Sequence, residues 1–423
     1  MRGLLFLLLF SFLIFADVAA QRRNVIDQES QVPEYQLPDV LKRFNGSKVK
    51  SAKVWAKKRR PEILKLFAQE VYGKVPGELN ISDVKLRETS DDAINGKAIR
   101  KQLSLFFTKS DRSVEVNVLM YLPKSVKKSP VFLAYNRTGN HAVYSDPNIR
   151  LTESWVNNDP SVGIINNQVT EQSRATASSR WPVDEIINAG YGLVTVYYGD
   201  IDPDKNDQSD GIQPFFYQPN QTKPRSDEWG SLAEWAWGLS KVMDYLETDP
   251  QVDASRVVVL GHSRLGKAAL WAGANDQRFA MVISNESGCG GAALSRRKYG
   301  ETVQIINTSF PHWFCDNFKK YNDNENFLPV DQHMLLALIA PRPLYVASAE
   351  GDQWADPRGE FLSAKYASPV YNLYGLEGLP AKEMPEINHP VMGTIGYHIR
   401  SGKHDLTLYD WQQYLKFADK YLK

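Results

Sequence analysis

Ser263 lies in Val257-Val258-Val259-Leu260-Gly261-His262-Ser263-Arg264-Leu265-Gly266-Lys267-Ala268-Ala269-Leu270-Trp271, an apolar strand that turns through glycines into a helix with a serine at the bend. That layout is a nucleophile elbow. It lifts the hydroxyl above the sheet edge and sets the Arg264 N–H, at the helix start, toward negative charge growing on a substrate carbonyl. Acyl transfer needs both. The spacing is G-x-S-x-x-G, one residue longer than the common G-x-S-x-G, and an arginine follows the serine directly.

A serine hydroxyl is a weak nucleophile near neutrality, so it needs a histidine base, and the histidine needs a carboxylate to fix its tautomer. In a fold with this elbow the chain order is Ser, acid, His. Of seven histidines, His141, His262, His312 and His333 precede the last strands, which leaves His389, His398 and His404. His404, in Ser401-Gly402-Lys403-His404-Asp405, stands just ahead of a terminal helix whose start, Thr407-Leu408-Tyr409-Asp410, reads as a capping box. It is the favoured base, with His389 next. Two acids compete: Glu286 in Val282-Ile283-Ser284-Asn285-Glu286-Ser287-Gly288, and Asp352 in Ala349-Glu350-Gly351-Asp352-Gln353-Trp354. Asp352 has the more usual position, and the two can also share the histidine. Beside a nucleophile, the Arg264 guanidinium can add a fixed charge to the backbone donors of an oxyanion hole. Lys267, one turn later, reaches toward the same pocket.

The elements that must hold these residues follow from periodicity. Residues 54–72 carry apolar positions at helical spacing. Short β-rich runs then follow at Ala98–Phe107, Val114–Leu122 and Val131–Tyr135, and further ones at Leu193–Tyr198, Val257–Leu260, Met281–Ser284, Leu344–Ala347 and Val370–Tyr374. Helical segments at Val183–Ala189, Leu232–Glu247, Lys267–Ala274, Gln332–Ile339 and Thr407–Leu422 lie between or after them. Alternation of this kind predicts an α/β fold with a mostly parallel twisted sheet covered on both faces, and with the serine elbow at a strand end it predicts an α/β-hydrolase, a three-layer sandwich. Residues 136–180 and 200–228 are rich in Asn, Asp, Ser and Pro, and loops of that length usually shape a site.

The 423 residues hold 50 basic and 49 acidic side chains, which leaves no electrostatic footprint for nucleic acid or an anionic membrane. Arg2, the apolar run Leu4–Ala16 and Val18-Ala19-Ala20 read as a signal peptide over residues 1–20, and the run is too short for a bilayer span. A polar arm over residues 21–50 and one catalytic domain over 51–423 complete the expected organisation. A secreted enzyme, periplasmic or extracellular, would meet an oxidising compartment, so Cys289 and Cys315 are either bridged or two buried thiols. No His, Cys and carboxylate cluster has zinc-like spacing, and neither metal nor cofactor is expected.

On Gly261-His262-Ser263-Arg264-Leu265-Gly266-Lys267, Glu286-Ser287-Gly288-Cys289-Gly290-Gly291-Ala292, Ile339-Ala340-Pro341-Arg342-Pro343-Leu344 and Gly402-Lys403-His404-Asp405, the chain resembles the glucuronoyl esterases, carbohydrate esterase family fifteen, and looks closest to their bacterial members. The resemblance runs from about residue 50 to the C-terminus, and its Ser-Arg-x-Gly-Lys elbow is specific. It implies hydrolysis of the ester between a lignin alcohol and the 4-O-methyl-glucuronic acid of xylan; separately, a monomer is expected. By matching position it implies Ser263 as nucleophile, Arg264 as oxyanion partner, His404 as base, Glu286 as the family's acid and Asp352 as the second acid of bacterial relatives. It also implies sugar contacts from Lys267 and Glu301 to ring hydroxyls and from Trp354 to the sugar face. Fungal members have cysteines where His262 and Asp405 stand here, and segment 136–180 is a long insertion relative to them. An acetyl-xylan or general carboxylesterase shares the triad and differs in the acyl pocket, whereas an inactive polysaccharide-binding homologue would not need a reactive serine.

Overall fold

A computed structural model describes residues 25–423; the expected leader lies outside the described residues. Ten strands form one sheet: β1 Asp83–Asp92, β2 Ala98–Lys109, β3 Arg112–Pro123, β4 Ser129–Asn136, β5 Gly192–Tyr197, β6 Val252–His262, β7 Met281–Asn285, β8 Leu344–Ala349, β9 Val391–Met392 and β10 Ile395–Arg400. Their spatial order is β1-β2-β3-β5-β4-β6-β7-β8-β10-β9. From β5 through β10 neighbouring strands run parallel, while β1, β2, β3 and β9 pair antiparallel at the two margins.

The principal helices are α1 Arg60–Glu70, α2 Val183–Asn188, α3 Ser231–Leu246, α4 Arg264–Asn275, α5 Val303–Ser309, α6 Gln332–Ala337, α7 Pro357–Asn372 and α8 Leu408–Leu422. Side chains alternate across a strand, and the central strands are buried on both faces over most of their length, so each strand feeds two cores. Val131, Leu133, Val257, Val259, Val282, Leu344 and Val346 pack with residues of α1, α3, α4, α6 and α7. Phe132, Ala134, Val258, Leu260, Met281, Ile283, Tyr345 and Ala347 pack on the opposite face with residues of α2 and α8. These two cores make the three layers of an α/β-hydrolase.

Three features depart from the sequence pattern. Val370–Tyr374 is not a strand: α7 runs to Asn372 and a turn follows it, and the β-branched and aromatic residues there, Val370 and Tyr371, are the buried face of that helix. The expected helix over 54–72 contains a wider π turn at Trp55–Arg59 before α1. Strand β1 carried no strand signal because it lies at the sheet margin with most side chains exposed, which removes the apolar alternation.

The N-terminal arm is tied down along the surface. Ile26 bridges to Tyr299, Glu29 pairs with Arg297 at 2.6 Å, and the Pro38 carbonyl lies 3.0 Å from His333 Nε2. Segment 136–180 holds short turns and a small hairpin, Ile164–Ile165 with Gln168–Val169. Among the described residues no helix is long and apolar enough to cross a membrane.

Cys289 and Cys315 are both buried free thiols, and burial raises the pKa of each. Alkylation after denaturation without reductant is expected to label both cysteines on every chain. A mass unchanged until reductant is added would mean a bridge.

Candidate active site

Parallel pairing in register brings four loops to one edge of the sheet. Gly261 lies opposite Ser284 and His262 opposite Asn285, Ala347 is level with Asn285, and Ala349 is level with Arg400. The residues just beyond these strand ends are Ser263, Glu286, Asp352 and His404. Their convergence is therefore fixed by strand register, although 141 positions separate the first from the last.

The elbow is sharp. Ser263 has φ 60° and ψ −131°, a strained conformation for a side-chain-bearing residue, and its N–H donates to the Asn285 carbonyl at 2.9 Å. A Cβ at Gly261 would lie 2.0 Å from the Leu265 carbonyl oxygen, so only glycine lets the strand end meet the first turn of α4. At Gly266 a Cβ would come within 3.0 Å of the Gly261 carbonyl oxygen and of Ser287. The second glycine thus serves the same close strand–helix contact from one position later, which accounts for the longer spacing. Glu286 also turns sharply, at φ 47°.

His404 Nδ1 is 2.6 Å from Asp352 Oδ2 and 3.2 Å from Glu286 Oε2. Both candidate acids meet the same ring nitrogen, and Nε2 is left for chemistry. The two carboxylates differ in support. Glu286 Oε1 accepts from Arg400 Nη2 at 2.6 Å, and its Oε2 accepts the Asp405 N–H at 3.0 Å. Arg400 also donates to Asp410 Oδ2 at 2.9 Å and to the Lys403 and Asp405 carbonyls, so the His404 loop is wrapped around one buried guanidinium. Burial raises the Glu286 carboxyl to about 7 against the opposing pull of His404 and Arg400. Burial lowers the His404 pKa, but hydrogen bonds and charge from Asp352 and Glu286 outweigh it and bring it to about 9. Glu286, Asp352 and His404 also have ligand-type atoms within 4.8 Å of one another, a proximity no sequence spacing revealed. Arg400 and the Asp405 N–H already engage Glu286, so the set is built around proton donors.

The other two late histidines lie elsewhere. His398 is fully buried between Asp410 at 2.8 Å and the Tyr345 hydroxyl at 3.0 Å, and His389 is 72% exposed and 4.0 Å from Glu386. His262, beside the serine, packs against His404 with ring centroids 4.6 Å apart and planes tilted by 39°, and its Nδ1 lies 2.5 Å from Asn285 Oδ1. Burial, with the His404 charge nearby, pushes the His262 pKa well below the ordinary histidine value. Where the resemblance implies a cysteine pair in fungal members, this chain has His262 and Asp405, and the His262 ring packs beside the base.

Arg264 reaches back from α4 to Asp204, and its guanidinium lies over Trp313 at 4.6 Å and Phe310 at 5.4 Å. Its Nε is buried with no partner. Lys267 is buried, which lowers its pKa; its Nζ donates to the Ser287 carbonyl at 2.5 Å and lies 3.9 Å from Glu301. Glu301 is tied to the next wall through its N–H on the Trp354 carbonyl at 3.0 Å, and the Trp354 ring is 39% exposed at the rim. Of the residues singled out in the sequence, the structure brings Glu286 and Asp352 onto His404, sets Lys267 beside Glu301 and ties Glu301 to Trp354, with Ser263 and Arg264 at the neighbouring strand end. Asp204, Arg400, Phe310 and Trp313 escaped the sequence reading. A carboxylate in the long 200–228 loop, and an arginine four residues before the base, are the only marks that pointed to any of them.

Comparisons with known proteins point to one family. The family model for fungal glucuronyl esterase matches residues 167–375. A carbohydrate esterase from an unknown prokaryotic organism, MZ0003, is 53% identical over 96% of this chain and 94% of its own length. A solved promiscuous esterase of carbohydrate esterase family 15, from a marine bacterial metagenome, is 52% identical with TM-score 0.88, covering 94% of this chain and 100% of that one. A glucuronoyl esterase from Solibacter usitatus is 50% identical with TM-score 0.87, covering 93% and 100%. With the serine elbow, the shared histidine and the two acids at one sheet edge, the chain belongs to the glucuronoyl esterases of carbohydrate esterase family 15, serine-type hydrolases on the α/β-hydrolase fold.

Proposed function

We propose that the chain cleaves the ester linking 4-O-methyl-glucuronic acid of xylan to lignin alcohols, through an acyl-enzyme on Ser263. The observation that carries the catalytic reading is the double contact of Glu286 and Asp352 with His404 Nδ1, which leaves Nε2 as the base toward the serine. A curated relative from Wolfiporia cocos, 35% identical over 43% of this chain, is named 4-O-methyl-glucuronoyl methylesterase 1, which supports the substrate class.

In the first half-reaction His404 Nε2 takes the Ser263 Oγ proton as Oγ bonds to the uronate carbonyl carbon. The tetrahedral oxyanion lies against the helix-start N–H groups and the part-exposed Arg264 guanidinium. The C–O bond to the alcohol then breaks, and the alcohol leaves with the proton from His404. Water attacks the acyl-enzyme by the same proton route, releasing glucuronate and restoring Ser263. Lys267, Glu301 and Trp354 receive the sugar: an ammonium and a carboxylate 3.9 Å apart suit neighbouring ring hydroxyls, and an exposed indole suits the sugar's C–H face. The apolar run ahead of residue 21 directs secretion, placing the enzyme where plant polymer is met.

Initial rates on benzyl glucuronate, an acetylated sugar and nitrophenyl acetate test the reading. The uronate ester is expected to be strongly preferred, and preference for the acetyl substrates would move the enzyme to the general carboxylesterases. Arg264→Gln is expected to lower kcat by roughly 10²- to 10³-fold, the usual cost of one oxyanion donor. A kcat within twofold of the parent would remove Arg264 from the oxyanion site.

A further inference from the structure

We propose that Asp204 is a positioning residue for the reaction, acting through Arg264; this rests on the oxyanion role given to Arg264 above. Asp204 is 7% exposed in the long loop after β5. Its carboxylate collects four donors from three separate parts of the chain. Oδ1 faces His312 Nε2 at 3.0 Å and accepts from Trp313 Nε1 at 2.8 Å. Oδ2 accepts from the Tyr198 hydroxyl at 3.0 Å and from Arg264 Nη1. Burial opposes ionisation, but the His312 contact, the Arg264 charge and the Trp313 N–H hold the carboxyl well below the usual range.

The clamp fixes the guanidinium in two directions. Asp204 holds one end of it in plane. The Trp313 ring lies over its face and is itself stacked on Phe310, with centroids 3.8 Å apart and planes 4° from parallel. Lys267 Nζ lies over the same Trp313 ring at 6.0 Å. One aromatic platform therefore supports both cations, and Asp204 anchors that platform by its indole N–H. The Arg264 side chain keeps 16% of its surface exposed while one end is held by Asp204, so a fixed guanidinium faces the pocket. An arginine has several rotatable bonds, and a guanidinium free to swing would have to be ordered again in each transition state. A fixed one is already in place. Asp204 also draws off part of the arginine's positive charge, so a purely electrostatic account predicts that removing it would speed the reaction. The positioning account predicts the opposite.

The experiment is a double-mutant cycle between Asp204→Asn and Arg264→Gln, read as kcat and KM on benzyl glucuronate, with thermal melting and fluorophosphonate labelling of Ser263 as checks of folding. Asp204→Asn alone is expected to lower kcat by roughly 10- to 100-fold, the scale of an ångström-level misplacement, with KM changed by less than about threefold. In the Arg264→Gln background the same substitution should change kcat by less than about twofold. The ascending limb of the pH profile should stay in place, because Asp204 does not touch His404. A faster Asp204→Asn enzyme, an unchanged kcat, or an equal loss in both backgrounds would each overturn the proposal. If Asp204→Asn does not fold, Tyr198→Phe decides: it removes one donor from Oδ2, and its loss of kcat, about two- to fivefold by the same displacement argument, must vanish in the Arg264→Gln background. Failure of the oxyanion reading has a different signature, since Arg264→Gln would then cost nothing by itself.

Discussion

Ser263→Ala is expected to lower kcat on benzyl glucuronate by about 10⁴-fold or more, while the melting temperature changes little. The argument starts from the backbone. Ser263 is held at φ 60° by the strand ahead of it, the helix behind it and its N–H bond to Asn285, none of which involves the hydroxyl. Alanine meets the same strained φ that serine already tolerates, so the elbow remains and only the nucleophile is lost. Residual turnover would come from the helix-start donors and Arg264 acting on water. Initial rates and fluorophosphonate labelling, run on parent and variant together, measure this. Activity within about tenfold of the parent, or labelling that persists in the variant, would place the nucleophile elsewhere.

Sequence made the elbow legible because its chemistry is local. A strand, two glycines, a serine and a helix start occupy adjacent positions, and the close contact that needs Gly261 lies only four residues from it. His404 was legible for a different reason: the loop before a capped terminal helix is a place the fold reserves, and Thr407 and Asp410 do form that capping box. Choosing between the acids was beyond sequence, since both meet one nitrogen. Asp204 could not be found because its meaning is entirely tertiary: its partners come from the end of β5, the start of α4 and the turn after α5. Arg400 had the same difficulty. It looks like one more basic residue near the C-terminus, yet it is the post around which the base loop folds. The misread Val370–Tyr374 has the converse cause. β-Branched and aromatic residues fit a strand locally, and only the packing of α7 on the sheet shows that they are a buried helical face.

Two carboxylates on one imidazole nitrogen should make each acid partly replaceable and their joint loss severe. Asp352→Asn and Glu286→Gln are each expected to lower kcat by roughly 10- to 100-fold, and the double variant by about 10³- to 10⁴-fold, the scale seen when a triad histidine loses its orienting acid. The single variants should differ in stability. Glu286 is fully buried and paired with Arg400, so Glu286→Gln leaves that guanidinium with Asp410 as its one carboxylate partner and should cost about 3 kcal/mol, visible in the melt. Asp352 has no comparable ion pair besides His404, so Asp352→Asn should melt near the parent. The pH profile gives an independent reading. The base must be neutral to accept the serine proton, and with His404 raised to about 9 the neutral form grows only on the alkaline side. The ascending limb of kcat/KM should therefore lie above the ordinary histidine value of about 6.5. Glu286 and His404 lie in contact and are both shifted, so that limb belongs to the coupled pair and not to one residue. Removing the Asp352 charge takes away a group that favours the imidazolium, so the limb must move toward acid even as the plateau falls. A profile that stays in place in both single variants would mean that neither carboxylate acts on His404 in the working enzyme, and the contact at Nδ1 would then be structural.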